Sequence, residues 1–448
     1  MAPKSLAYFA LASGLAACSG PAPLATGDAS TVYIDTPSDI AADGASDAAV
    51  DAPIDHPPFD AGSAPSCTVA AFTRHVFDQS PGVNIVELGG FVRLGDSFTL
   101  AVRQGASRLV SPDAGTPRRD TIDVMSVSDL GFPTVSPWTA YDSSAGATDL
   151  SAPTLIRAGS GALLLFREST GIQGTSTAYT TRVRSALLDG VASHQASPSM
   201  LEDRGDPFAA TLPDGSALLL ASRIVSRSDA GLVAAAPNVV RMLPTGAPAT
   251  TMGVDIQSVI PVEADSVLML SSPAGAVMAF RRNTEVRTAW FDGAGVIDTR
   301  VRVTRDVDAI RIDDGAAFDN AVVVAWDEPS GQRHAIHVAV VDSEGALLAN
   351  DVIERYEAPG SPVVSVVGAY GGAAVLWIRS SGDAAVLRGA VMQPNGILRT
   401  PPRDLIPVPG ADGRLYAVGE GRSLSFVARD RGASGFGVTF GRLCLPAL

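Results

Sequence analysis

The sequence predicts an all-β domain built by repetition, and three observations predict it. Long amphipathic stretches of helical period are missing; short apolar runs, β-branched in places, alternate with Gly, Asp-Gly and Pro turns. One unit recurs, a turn with Gly, Asp or Asn and then a short apolar run that ends on a charged residue. The runs are Leu100–Arg103, Leu164–Arg167, Leu220–Arg223, Val277–Arg281, Val324–Asp327, Leu376–Arg379 and Phe426–Arg429, with their ends 46 to 64 residues apart. Each is preceded by another apolar stretch, and several are followed by a third that leads into a glycine turn. Three or four antiparallel strands per ~50 residues, repeated seven times, is the pattern of a β-propeller. A six- or eight-bladed ring and a pair of β-sandwiches are the alternatives.

Taken in order, the chain begins with an address. Lys4 gives a positive start, and Leu6 to Leu15 form an apolar run too short to span a bilayer. The run ends in Leu15-Ala16-Ala17-Cys18, followed by Ser19 and Gly20. This resembles the lipobox of bacterial lipoproteins, and residues 1–18 are read as their signal peptide. The resemblance implies that the Cys18 thiol carries a diacylglycerol, that the chain is cut before it, and that the protein is held to a membrane by lipid. Ser19 is not the Asp that retains enteric lipoproteins at the inner membrane, so the implied location is the outer membrane, facing the periplasm or the cell surface.

Residues 19–66 follow as a tether. They hold eight Asp and no Glu, Lys or Arg, with abundant Ala, Pro, Gly and Ser. Asp35, Asp39, Asp43, Asp47, Asp51 and Asp55 recur every four positions. A helix would stack these like charges on one face, and Pro53, Pro57 and Pro58 oppose it as well. The expectation is a disordered, solvated linker that reaches about 35–42 Å as a coil and ~170 Å when stretched.

The domain proper spans residues 67–448. Of the three cysteines, Cys18 goes to lipid, which leaves Cys67 at its start and Cys444 near its end. In an exported, oxidising compartment these suggest one disulfide. Propellers commonly close by letting the N-terminal strand complete the last blade. Here Thr68 to Phe77 would lie antiparallel to Phe436 to Leu443, which sets Cys67 opposite Cys444. Turn signals after the third strands support the repeat, as in Trp290-Phe291-Asp292-Gly293, Val341-Asp342-Ser343-Glu344-Gly345 and Gln393-Pro394-Asn395-Gly396. The whole resembles exported lipoproteins carrying a divergent β-propeller ectodomain. It lacks the G-H…W-D signature of WD40 blades, the double glycine of kelch and the Asp-box of sialidases.

Composition excludes several functions. The net charge of −14 argues against a nucleic-acid partner. Lys4 is the only lysine, so Schiff-base and P-loop lysine chemistry is out. There is no G-x-S-x-G elbow, no H-E-x-x-H and no phosphate-binding Gly loop. No cofactor and no metal is expected. His334 and His337 fall on opposite faces of a strand, and Asp306, Asp308, Asp313 and Asp314 read as a solvated loop rather than a Ca²⁺ cage.

The sharpest lead is a column of cations. Arg103, Arg167, Arg223, Arg281, Arg379 and Arg429 end six of the seven repeated runs, with Asp327 in the seventh. Guanidinium groups at that end of the blades could bind carboxylates or phosphates, or could simply pair within the architecture. Glu87, Glu168, Glu263 and Glu328 are available carboxylates for glycoside chemistry, and Trp138, Trp290, Trp326 and Trp377 are available to stack sugars or to pack blades. With no catalytic motif, the expected role is a non-enzymatic binding module for a protein or glycan at the envelope. The second reading is a propeller glycosidase or lyase acting on an anionic polysaccharide.

Overall fold

Short apolar runs bounded by turn residues become strands here, and little else. The structure is a computed structural model of the 448-residue chain. It describes residues 73–76 and 85–444, apart from 106–119, 130, 144–147, 171–179, 189–193, 203–206, 228–232, 248, 250–253, 256–264, 299–300, 306, 308, 310, 331, 358–362, 370, 382–383, 421–422 and 433–434. The signal peptide, Cys18, the tether and Cys67 lie outside the described residues. All described residues belong to the unit that spans Ser63–Leu448. Among them there are 29 strands and no helix.

After β1 (Thr73–Val76), the chain forms antiparallel meanders in succession. The first comprises β2 (Ile85–Leu94), β3 (Ser97–Gly105), β4 (Thr121–Ser128) and β5 (Pro133–Asp142). The second comprises β6 (Thr148–Leu150), β7 (Thr154–Ala158), β8 (Gly161–Thr170), β9 (Thr180–Leu188) and β10 (His194–Glu202). In it β6 and β7 both pair with β8, separated by a step that contains Pro153, which has no N–H to give a ladder. The third comprises β11 (Phe208–Thr211), β12 (Ala217–Arg227), β13 (Val233–Met242) and β14 (Val254–Asp255). The fourth comprises β15 (Asp265–Ser272), β16 (Gly275–Arg282), β17 (Glu285–Asp292) and β18 (Arg302–Thr304). The fifth comprises β19 (Asp314–Ala317), β20 (Ala321–Ser330), β21 (Arg333–Asp342) and β22 (Leu347–Glu357). The sixth comprises β23 (Ser365–Ala369), β24 (Gly372–Ser381), β25 (Ala384–Met392) and β26 (Leu398–Pro407). The last comprises β27 (Ala411–Glu420), β28 (Ser423–Gly432) and β29 (Gly435–Cys444), and β1 pairs antiparallel with β29, Thr73 opposite Phe440 and Val76 opposite Gly437.

The first strands of successive sheets pack on one another, and β27 packs on β2, in the arrangement of a β-propeller. This explains why the second strands read as continuous apolar runs. In β20, Val323 and Ala325 face the sixth sheet and pack with Val366, Val375 and Trp377. The alternate residues Val322, Val324 and Trp326 face the fourth sheet and pack with Val277, Ala279 and Val286. A strand sandwiched between sheets has no solvent face on which to place polar residues.

Each third-to-fourth-strand connection that the structure describes turns on a glycine of positive φ, at Gly131, Gly246, Gly295, Gly345 and Gly396. The glycine N–H returns to the carbonyl three residues earlier, as from Gly345 to Asp342 and from Gly396 to Gln393. Asp292 and Asp342 add a side-chain cap, their Oδ1 accepting the backbone N–H groups two and four residues on. Gly396 is held twice over. It has φ of 85°, and a Cβ placed there would lie 2.8 Å from the Leu348 carbonyl oxygen of the preceding sheet.

Candidate functional site

The polar groups gather where β20 and β22 end and β21 begins. The β20–β21 hairpin pairs Ser330 with Arg333, and the adjoining β21–β22 ladder pairs Arg333 with Glu357, His334 with Tyr356 and Ala335 with Arg355. A cavity of about 550 Å³ opens there, lined by Glu328 and Ser330 of β20, by β21 from Arg333 to His337, and by Arg355, Tyr356 and Glu357 of β22. The alternation of strand side chains divides these residues between the two faces of the sheet.

On the face toward the fourth sheet, the His337 ring stacks on Trp326, with centroids 5.1 Å apart and planes 13° apart. Its Nε2 stands 2.7 Å from Glu328 Oε2. Burial pushes the His337 pKa below the ordinary histidine value, with Glu328 pulling back the other way and Arg355 adding to the depression. Arg333 pairs with Glu357 at 3.2 Å, both largely exposed. Arg355 is exposed and has no ion pair among the described residues.

On the opposite face lies a buried polar chain. Asp327 is fully buried, and both its carboxylate oxygens accept from His334 Nδ1, at 3.0 and 3.1 Å. Its backbone N–H donates to Asp313 Oδ2 at 2.9 Å, and Arg311 reaches both Asp313 (2.9 Å) and Asp327 (3.4 Å). Desolvation raises the pKa of Asp327, and the bond from His334 opposes it. With Nδ1 committed to Asp327, the ring nitrogen of His334 that remains is Nε2. That atom and the Tyr356 hydroxyl have no hydrogen-bond partner among the described residues, and both are buried. The two rings stack at 5.5 Å. Burial, followed by the nearby Asp327 and Glu354 charges, raises the Tyr356 pKa and keeps its phenol protonated.

The Arg column lies on the second strands, as the repeat places it. Arg103 on β3 is buried and bonds to Glu87 at 2.9 Å and Asp120 at 3.0 Å. Arg281 on β16 donates to the Asn283 and Ala309 carbonyls at 2.8 and 3.4 Å. Arg167 on β8 and Arg429 on β28 are half-buried and partnered. Arg379 on β24 is exposed, and its charge reaches both Glu354 and Tyr356. Arg223 lies on β12, and its side chain is outside the described residues. Asp327 takes the equivalent place in the fifth sheet and carries the buried pair with His334.

Other candidates separate cleanly. Glu87 is bound to Arg103, Glu168 accepts from Tyr141, and Glu263 lies outside the described residues. Trp326 and Trp377 are fully buried between sheets, while Trp138 and Trp290 pack partly buried against inter-sheet clusters. Of the acidic cluster, Asp306 and Asp308 are outside the described residues, Asp313 holds Arg311, and Asp314 clamps the sixth sheet. Cys444 is 7% exposed and disulfide-bonded, and its partner is outside the described residues.

Together these features define a β-propeller with a polar, histidine-containing cavity at the strand ends of the fifth sheet. No protein-family profile and no curated protein matches the sequence. Among solved structures, the chain is similar to an ulvan lyase from a family of polysaccharide lyases, bound to a sugar chain of glucuronate and rhamnose 3-sulfate, at 10% identity and a TM-score of 0.50, covering 79% of this chain and 91% of that one. The polysaccharide lyase Uly1 follows at 10% identity and a TM-score of 0.46, covering 80% and 89%. A mutant sialidase of Trypanosoma rangeli with trans-sialidase activity matches at 13% identity and a TM-score of 0.36, covering 84% and 60%. At such identities the likeness is one of fold.

Proposed function

We propose that this chain binds an anionic polysaccharide in the β20–β22 cavity and cleaves it by β-elimination. One observation carries the reading: the cavity joins an imidazole–carboxylate pair, His337 with Glu328, to an unpaired cation, Arg355. Elimination next to a uronate needs the sugar carboxylate neutralised so that its C5 proton becomes acidic. Arg355 supplies that charge. His337, held neutral by burial, takes the proton, with Glu328 fixing its orientation. The C5 electron pair forms the C4–C5 double bond, the C4–O bond breaks, and the imidazolium returns the proton to the leaving oxygen. The ulvan lyase with the similar fold is bound to a glucuronate-containing chain, which accords with this substrate class.

The test is to incubate the purified protein with glucuronate, galacturonate and mannuronate polymers and with a neutral glucan. Two products are read together, new reducing ends and the ultraviolet absorbance of the unsaturated uronate. Both signals with a uronate polymer, lost in Arg355→Ala, support elimination. Reducing ends without unsaturation move the assignment to hydrolysis. Saturable binding without either product restores the non-enzymatic module, a reading favoured by Glu328 and Glu357, whose charges oppose a polyanion at the same cavity.

The rest of the organisation belongs to the same proposal. Each sheet forms one blade, seven in all, and β1 supplies the outer strand of the last. Extending the Thr73–Phe440 register sets Val69 opposite Cys444, with Cys67 two residues further along; with Cys18 assigned to lipid, Cys67 is the remaining cysteine and the partner we assign to Cys444. Cys18 carries the lipid that holds the protein at the outer membrane. Non-reducing peptide mapping that finds Cys67 joined to Cys444, and the mass of a triacylated or diacylated N-terminal peptide, check the two covalent assignments.

A further inference from the structure

We propose that His334 Nε2 and the Tyr356 hydroxyl form a subsite for uncharged sugar hydroxyls, which makes the cavity select a sugar with adjacent free hydroxyls over its deoxy or O-alkylated form. This deepens the polysaccharide reading of the cavity, on which it rests, by naming a second feature of the sugar that is recognised besides the carboxylate.

The first observation is that two neighbouring buried side chains each carry a polar atom with nothing to bond. His334 is 3% exposed and Tyr356 8%. They are direct partners across β21 and β22, and their rings stack at 5.5 Å. Neither His334 Nε2 nor the Tyr356 hydroxyl has a hydrogen-bond partner among the described residues. A polar atom in that position has given up its bonds to water and gained none, so it stabilises whatever ligand group restores them. Thr288 Oγ1 and Trp290 Nε1 are also buried and unpaired, but neither residue lines the cavity, whereas His334 and Tyr356 both do.

The second observation is that both rings are held in place. The two Asp327 carboxylate oxygens stand 3.0 and 3.1 Å from His334 Nδ1, which fixes the imidazole and leaves Nε2 as its open atom. Asp327 is fixed in turn, by Arg311 at 3.4 Å. Tyr356 packs in the inter-sheet cluster with Ile336, Val338 and Trp377. A ligand therefore meets polar atoms that are already oriented, and little ordering is lost on binding.

The third observation is the charge around them, which decides what kind of group fits. Asp327 and Glu354 place negative charge near the phenol. Of the two cations whose charge reaches it, Arg388 is bound to Glu354 at 2.9 Å and Arg379 is exposed to water. An anion is disfavoured here and belongs with Arg355, on the other face of the sheet. A hydroxyl fits because it both donates and accepts. The phenol can play either part, and Nε2 takes whichever its proton leaves it. Two adjacent hydroxyls pair both atoms at once. A sugar that lacks them leaves both atoms buried and unpaired, which is how a polar site rejects a deoxy analogue strongly.

The experiment measures calorimetric binding of tetrasaccharides of glucuronate, galacturonate and mannuronate, of their carboxyl-reduced neutral forms, and of the O-methylated neutral forms. The neutral forms are not open to elimination, so binding is read on them without turnover. Tyr356→Phe should weaken binding of an unmethylated tetrasaccharide about tenfold, charged and neutral alike. It should leave the melting temperature of the free protein unchanged or higher, because the lost hydroxyl makes no bond there. Arg355→Ala should weaken only the uronate. The His334 Nε2 nitrogen resonance should shift with the neutral tetrasaccharide and not with its methylated form. Binding unchanged by Tyr356→Phe, equal binding of the methylated form, a stationary His334 resonance or no binding of any tetrasaccharide overturns the proposal. So does a lower melting temperature with unchanged binding, which assigns the hydroxyl to the fold through an ordered water. The two readings fail separately. Binding that depends on Tyr356 without unsaturated product removes elimination and keeps the subsite. Elimination with binding indifferent to Tyr356 does the reverse.

Discussion

Asp314 shows how one carboxyl can make stability depend on pH. It sits at the start of β19, its Oδ2 accepting from Ser365 (3.1 Å) and from the Val366 N–H (2.8 Å) of the next sheet. Desolvation pushes its pKa from 3.8 up to about 6, with those bonds opposing the rise. The folded state therefore holds the proton more tightly than the unfolded chain. Stability from this group is fully present below the unfolded pKa and is lost as pH rises through the folded one, by about 3 kcal/mol in all. Urea unfolding from pH 4 to pH 7 should show Asp314→Asn gaining on the native protein by about that amount; parallel curves would remove Asp314 from the pH dependence. His337 has the opposite sign. With its pKa depressed, folding is favoured by the neutral ring, and both stability and any base function of His337 are lost as pH falls below the ordinary histidine range. The Arg column divides by burial. Arg103→Ala leaves buried Asp120 without its guanidinium partner and should cost about 3–5 kcal/mol, whereas exposed Arg379→Ala should cost no more than ~0.5 kcal/mol. Similar costs in chemical denaturation would contradict the division. At this scale the sequence showed both exceptional features of the fifth repeat, Asp327 in the Arg column and the His334-x-x-His337 spacing. It could not show that Asp327 meets His334 while His337 meets Glu328, because those contacts depend on strand register.

At the scale of elements, the strands follow from composition. Every apolar run that ends on a charged residue falls in a second strand, from β3 to β28, because a strand packed on both faces has to be apolar at both alternations. The turns were equally legible where Asp precedes Gly by two or three positions or Asn directly precedes it. What the turn residues do not reveal is their contact with the neighbouring sheet. Gly396→Ala meets both a positive φ and the Leu348 carbonyl at 2.8 Å, while Gly95→Ala, with φ of 59°, meets nothing within 4 Å. Thermal melting should show the first costing about 2–3 kcal/mol and the second about 1 kcal/mol. Equal losses would mean that backbone strain alone governs these turns. Strand interruptions were less visible. The split of the second sheet's first strand into β6 and β7 follows from the step at Pro153, and the shift between Leu88 and Phe91 in β2 follows from the Gly89-Gly90 pair that lies against it.

For the molecule as a whole, the prediction concerns closure. β1 covers the edge of β29, which otherwise presents unpaired backbone groups. Deleting residues 67–76, or reducing the disulfide of Cys444, should lower the melting temperature, and the deletion should also promote association through the bared strand. A truncated protein that melts like the intact one and stays monomeric would show that β1 adds nothing to the ring. The repeat length, the all-β class and the acidic, lysine-poor character were set by local composition, since apolar runs and turn residues act within a few residues of one another. The cavity and the two histidines with their separate partners were decided only by the tertiary structure. They join residues whose proximity comes from strand pairing and from packing between sheets, and no spacing along the chain encodes which strand end meets which.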